Sequence, residues 1–188
     1  MSDTHREVEL RLAIADPQAL GAALRAAGAT PIGEGRVQTA YYDFPDRRLR
    51  AAGSTLRLRE DWTGTTLTSK TPLPNGMSGA AGETAGVRAR EEVTLALLAG
   101  SGETAQRLLR GLGLVETLRY EKTRTSWQLG HARVDVDILA DGGACYAEIE
   151  AEAEGIAATR ARLGLDTAPV ETRSYFEIVR VARLDAGS

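Results

Sequence analysis

Charged residues recur in this chain at a spacing of two, in like or complementary sets. They are Glu7-x-Glu9-x-Arg11, Arg57-x-Arg59, Arg88-x-Arg90-x-Glu92, Lys122-x-Arg124, Asp135-x-Asp137 and Glu148-x-Glu150. A spacing of two puts the members of each set on one face of a β-strand. Acidic pairs offer oxygen ligands to a divalent cation, and basic pairs offer charge-assisted donors to phosphate oxygens. On an open sheet such faces simply meet water. In a sheet closed into a barrel they line the interior. A lumen carrying both signs suits a metal–polyphosphate ligand better than it suits either component alone.

The elements that must carry these faces are legible in part. Residues 7–14 alternate charged and apolar, with Val8, Leu10 and Leu12 opposite the charges. Asp16-Pro17 offers an N-cap and an N1 proline for a helix over 18–27, closed by Gly28. Strands are expected over 37–43, 55–59, 65–70, 87–94, 118–129, 132–139 and 145–154. Turns fall at Phe44-Pro45-Asp46, Trp62-Thr63-Gly64 and Gly130-His131. Helices are expected over 103–112, 156–163 and 174–184. Residues 72–86 hold four glycines and two prolines with no apolar periodicity, and form the longest irregular stretch. The pattern predicts an α+β fold: an antiparallel β-barrel of about eight strands with flanking helices, one domain over 1–188.

Composition bounds the chemistry. The 188 residues are 43% hydrophobic, enough for a core, and no apolar run approaches the ~20 residues of a membrane span. One cysteine, Cys145, and two histidines exclude a disulfide framework and a zinc finger. The net charge of −3 gives no basic footprint for nucleic acid. The polar opening MSDTHREVEL lacks the apolar core of a secretory signal, so a cytoplasmic protein is expected. Lys70 and Lys122 are the only lysines among 23 basic residues.

Read in order, the motifs resemble the CYTH, or triphosphate tunnel metalloenzyme, superfamily. Glu7-x-Glu9-x-Arg11 resembles its ExExK signature. Gln38-Thr39-Ala40-Tyr41-Tyr42-Asp43, Leu56-Arg57-Leu58-Arg59, Thr66-Leu67-Thr68-Ser69-Lys70, Arg90-Glu91-Glu92, Lys122-Thr123-Arg124, Asp135-Val136-Asp137, Ala147-Glu148-Ile149-Glu150 and Arg173-Ser174-Tyr175 follow in the family's sequence. Two positions depart: Arg11 and Arg173 stand where the family carries lysine. Both keep the charge and exchange a compact ammonium for a rigid fork.

The resemblance implies a metal-dependent hydrolase of triphosphate-containing substrates: inorganic triphosphate, thiamine triphosphate or a nucleoside triphosphate. The alternatives are a class IV adenylyl cyclase and a noncatalytic polyphosphate- or nucleotide-binding module. It implies Mg²⁺ or Mn²⁺ held by Glu7, Glu9, Asp137, Glu148 and Glu150. Phosphate contacts fall to Arg11, Arg57, Arg59, Lys70, Arg90, Lys122, Arg124 and Arg173, and a catalytic set to Glu7, Glu9, Arg11, Lys70 and Glu92. The expected partner is a small molecule, with neither nucleic acid nor membrane, and a homodimer is allowed. Asp135 is expected at a turn or rim, Glu152 at a solvated strand end, and Arg47, Arg48 and Arg50 on the surface. Trp62 and Trp127 are expected to pack, with contact to an adenine or thiazolium ring as the alternative for either.

Overall fold

A computed structural model describes residues 2–73, 88–140 and 143–185. The irregular stretch expected over 72–86 lies, beyond its first two residues, outside the described residues. Eight antiparallel strands form one closed sheet in the order β1-β5-β4-β3-β2-β6-β7-β8. They are β1 (Ser2–Ala13), β2 (Thr30–Asp43), β3 (Thr55–Asp61), β4 (Gly64–Pro72), β5 (Arg88–Leu97), β6 (Val115–Leu129), β7 (Ala132–Leu139) and β8 (Cys145–Glu150). Helices α1 (Pro17–Ala26), α2 (Arg48–Ala51), α3 (Gly102–Gly111), α4 (Ala153–Arg162) and α5 (Tyr175–Asp185) flank it. Closure comes from β1, which pairs with β5 through its first half and with β8 through its second, Arg11 standing opposite Glu148.

The barrel is apolar outside and charged inside. Val8, Leu10, Leu12, Val134, Val136, Ala147 and Ile149 face outward and pack beneath Leu20 and Leu24 of α1 and Ile156 of α4. Each buried Val, Leu or Ile among them contributes roughly 1.5–3 kcal/mol. This outer layer, not the lumen, therefore supplies much of the driving force for folding. A second cluster joins Ala40, Tyr42 and Leu58 to Leu109 of α3. A third forms where Tyr175, Ile178 and Val179 of α5 meet Tyr41, Leu118, Tyr120, Leu139 and Tyr146.

Local signals act as expected where the chain makes its own contacts. Asp16 caps α1 by accepting from the Gln18 and Ala19 amides at 2.9 Å. Gly28, at φ 78°, takes the left-handed conformation that ends the helix. Three strands begin well before expectation: β1 at Ser2, where it pairs with β5, and β2 at Thr30 and β6 at Val115, because each finds the other across thirteen paired positions. Strand β8 stops at Glu150, earlier than the alternation to residue 154 predicts, because α4 begins at Ala153; exposed Glu152 occupies its N-cap position. The four-residue α2 has no apolar periodicity to announce it. It forms because the Asp43 carboxylate accepts from the Phe44, Leu49 and Arg50 amides.

Both tryptophans pack. Trp127 is buried in the outer core, with Arg25 over its ring. Trp62 lies across Gly33 and Gly35, where an added Cβ would collide with the indole. Gly35 stands opposite the inward-facing Arg124, so the indole covers the inner face of β2. No helix among the described residues is long and apolar enough to cross a membrane.

Candidate phosphate-binding chamber

Inside the barrel is a chamber of about 220 Å³, lined by Glu9 and Arg11 of β1, Arg57 and Arg59 of β3, and Lys70 of β4. Strand β5 adds Arg90 and Glu92, β6 Arg124, β7 Arg133 and Asp135, and β8 Glu148 and Glu150. Seven cations face five carboxylates. All come from inward positions, which the period of two and the antiparallel register bring into one space.

One wall is a continuous ionic network. Arg11 donates to Glu148 through Nε and Nη2 and to the Arg173 carbonyl through Nη1. Arg124 reaches Asp137 at 2.6 Å through both Nε and Nη2, and also bonds Asp135 and Glu148. Lys122 Nζ donates to Asp137 Oδ2 at 2.6 Å, and the Tyr175 hydroxyl donates to the same oxygen at 2.6 Å. The Tyr175 ring lies between two cations, the Arg11 guanidinium at 4.0 Å and the Lys122 ammonium at 4.1 Å. Burial opposes charge throughout, yet Arg11, Lys122 and Arg124 still hold Glu148 well below the usual carboxylate range. For Lys122, burial and neighbouring Arg124 outweigh Asp137 and Glu148 and bring its pKa down to about 7.

The opposite wall is built on Glu92. Lys70 Nζ sits 2.8 Å from it, Arg57 Nη2 lies 3.8 Å away, and Thr94 donates to it at 2.9 Å. Burial raises the Glu92 pKa, but Lys70 and Arg57 overcome it and set a value of about 2. Arg59 differs from both: among the described residues it has no carboxylate partner, and its buried Nε has no acceptor. Burial, Arg57 and Arg124 all lower its pKa. Thr39 pairs with Arg59 in the β2–β3 register and Tyr120 with Thr39 in the β2–β6 register. The Thr39 hydroxyl and the Tyr120 hydroxyl are likewise buried without partners among the described residues. Three adjacent inward positions thus present polar groups that lack an acceptor. Of the three only Arg59 lines the chamber, and because buried polar groups are nearly always satisfied, its Nε marks where an acceptor oxygen belongs.

The expected metal ligands separate into groups. Glu9 and Glu150 line the chamber and stand directly opposite one another across β1 and β8. Burial raises the Glu150 pKa, and Glu92 and Asp135 add to the rise, so this carboxylate gains from an added cation. Glu148 is already bonded to two arginines. Asp137 is fully buried behind them, holding Lys122, Arg124 and Tyr175. The Glu7 backbone pairs with Arg90, and its side chain lies outside the described residues. Among the described residues no three ligating side chains converge on one point. Two carboxylates do fit a magnesium-type ion, which commonly takes one or two and completes its shell with substrate phosphates and water.

Lys122 and Asp137, expected at the phosphate and the metal, are buried and do not line the chamber, and two further placements differ from expectation. Asp135, expected at a rim, is 5% exposed and lies between Arg124 and Arg133, because β7 enters the lumen along its full length. Arg173 does not line the chamber; its half-exposed side chain pairs with Glu171, and only its carbonyl reaches Arg11. Thr39 and Tyr120 carry no charge pattern and are invisible to spacing; only the strand register reveals them.

The CYTH domain profile matches residues 5–175. Among solved structures, a Pyrococcus horikoshii OT3 protein superposes with TM-score 0.71 at 20% identity, covering 91% of this chain and 98% of that one. A Vibrio parahaemolyticus protein named as a candidate adenylate cyclase gives 0.74 at 22%, covering 93% and 97%. A Hippeastrum protein, a candidate adenylyl cyclase described as having a dominant triphosphatase activity, gives 0.69 at 15%, covering 93% and 95%. These likenesses concern the fold. No curated protein matches the chain significantly.

Proposed function

The chain belongs to the CYTH domain family, and on that footing we propose that it is a divalent-metal-dependent hydrolase of triphosphate-containing substrates. The candidates are inorganic triphosphate, thiamine triphosphate and a nucleoside triphosphate. The observation that carries this reading is a chamber with seven cations against five carboxylates, in which Arg59 has no carboxylate partner among the described residues and its buried Nε has no acceptor. A triphosphate brings about four negative charges and many acceptor oxygens, and sites that stabilise such charge hold their donors in place beforehand.

Arg57, Arg59, Lys70 and Arg124 would contact the phosphate oxygens, with Arg90 at the mouth and Lys122 adding charge from behind. Glu92 would keep Lys70 and Arg57 in position; a carboxylate with a pKa of about 2 is a poor proton acceptor. Glu148 and Asp137 would fix Arg11, Lys122 and Arg124 in the same way. Glu9 and Glu150 would hold Mg²⁺ or Mn²⁺, with Glu7 next along the same face of β1. The metal, when bound, supplies positive charge at the phosphoryl oxygens and acidifies water.

Incubation of the pure protein with tripolyphosphate, thiamine triphosphate or ATP under Mg²⁺ or Mn²⁺ tests the reading, with phosphate, pyrophosphate and cyclic AMP assayed together. Metal-dependent phosphate release supports it. Pyrophosphate released with cyclic AMP would transfer the assignment to the cyclase, and no turnover of any of the three would leave a binding module.

A further inference from the structure

The chamber does not end at its mouth. It shares Tyr41, Thr55, Arg90, Ser174 and Phe176 with a larger cavity of about 610 Å³, bounded by the turn after β2, by α2, by the start of β3 and by the first turns of α5. Four arginines line this outer cavity: Arg47, Arg50, Arg90 and Arg180. Its two acids are both engaged with the backbone. Asp43 accepts from the Phe44, Leu49 and Arg50 amides, and Glu177 accepts from the amide and hydroxyl of Ser174 at 2.8 Å. Among the described residues none of the four arginines has a carboxylate partner.

The arginines are also aimed. The Arg50 guanidinium lies 4.6 Å from the centre of the Phe176 ring, and Tyr41 meets the same ring edge-on at 5.4 Å. The aromatic surface is therefore already in use as a support for Arg50. Arg47, at φ 61°, is the one non-glycine residue in the left-handed region among the described residues. That conformation is disfavoured for a side chain with a Cβ, and here it sets the residue on the cavity wall.

We propose that the outer cavity is a second anion site, which takes the phosphates beyond the third of a linear inorganic polyphosphate whose end occupies the inner chamber. This rests on the reading of the inner chamber as a triphosphate site. A cationic tail such as a thiazolium would enter a field of four arginines. A neutral tail would bring those arginines no counter-charge. A longer phosphate chain continues the inner ligand's own chemistry along Arg90 and out to Arg50, Arg47 and Arg180.

The test compares tripolyphosphate with a medium-chain polyphosphate by titration calorimetry, using wild type and an Arg47→Ala, Arg50→Ala, Arg180→Ala triple variant. Arg90 is left intact because it also lines the inner chamber. Wild type is expected to bind the longer chain more tightly. The triple variant is expected to lose that advantage, by about tenfold or more, while tripolyphosphate affinity stays within about twofold. The advantage should also fall with added salt more steeply in wild type than in the variant. Equal affinity of wild type for both ligands, or an advantage that survives the triple substitution, overturns the outer site and leaves the inner one standing. Failure to bind tripolyphosphate overturns both. The circular dichroism spectrum of the variant, expected to match wild type, confirms that its fold is intact.

Discussion

Arg59 pays a visible cost for its place: it is half-buried beside Arg57 and Arg124, and its buried Nε has no acceptor. Removing such a charge favours the fold and harms any function that uses it. Arg59→Met is therefore expected to raise the thermal midpoint by a few degrees while weakening tripolyphosphate binding by ~100-fold, the scale of losing one preorganised donor. A lower midpoint with unchanged binding would remove Arg59 from the site. Arg11 should behave oppositely, since it holds Glu148 and the Arg173 carbonyl while buried. Arg11→Ala strands a buried carboxylate and is expected to cost about 3–5 kcal/mol in urea unfolding. Arg11→Lys keeps the charge and should lose less. At this scale spacing reveals the charged residues well, because a solvated sheet face rarely repeats paired ions on strand after strand. It does not assign their tasks. Asp137 looks like a metal ligand until Lys122, Arg124 and Tyr175 are seen on its oxygens, and Thr39 and Tyr120 look like ordinary strand residues until their register is known.

Helix α5 shows how an element reaches the site without lining much of it. Its first residue, Tyr175, enters the chamber wall with its hydroxyl on Asp137 and its ring between Arg11 and Lys122. Tyr175→Phe keeps the ring between the cations and removes one donor from Asp137. It is expected to fold normally, with a shifted pH–rate profile, because Lys122, at a pKa of about 7, shares that oxygen. Tyr175→Leu removes the ring as well and should lower both kcat/KM and the thermal midpoint. A Phe variant with an unchanged pH profile would make the contact purely structural. The eight strands are readable from alternation because their two faces differ so sharply. Their ends are less so: β2 and β6 extend each other by pairing, a tertiary effect that local pattern does not carry. The helix α2 depends on one carboxylate capping three amides and has no periodicity of its own.

The whole barrel inverts the usual arrangement, with its apolar contacts outside under helices and its ions within, and this makes stability depend on pH. Glu92, Asp137 and Glu148 all have pKa values lowered in the folded state, Glu92 from 4.5 to about 2. As pH falls the unfolded chain binds protons first, so their contribution is present above about pH 4.5 and is lost on descent towards pH 2. Urea midpoints are expected to hold between pH 7 and 5 and then drop steeply, and Glu92→Gln should shallow that drop. A flat profile down to pH 3 would mean that the lumen charges are not coupled to folding. The central claim is that the inner chamber holds a triphosphate on Arg57, Arg59 and Lys70 with a metal at Glu9 and Glu150. A crystal structure of the protein with tripolyphosphate and Mn²⁺, with anomalous scattering to locate the metal, tests it most directly. The account predicts three phosphates inside the chamber, oxygens on those cations, and one manganese peak beside Glu9 and Glu150. Phosphates bound only on the outer surface, or a manganese peak away from both carboxylates, would contradict it.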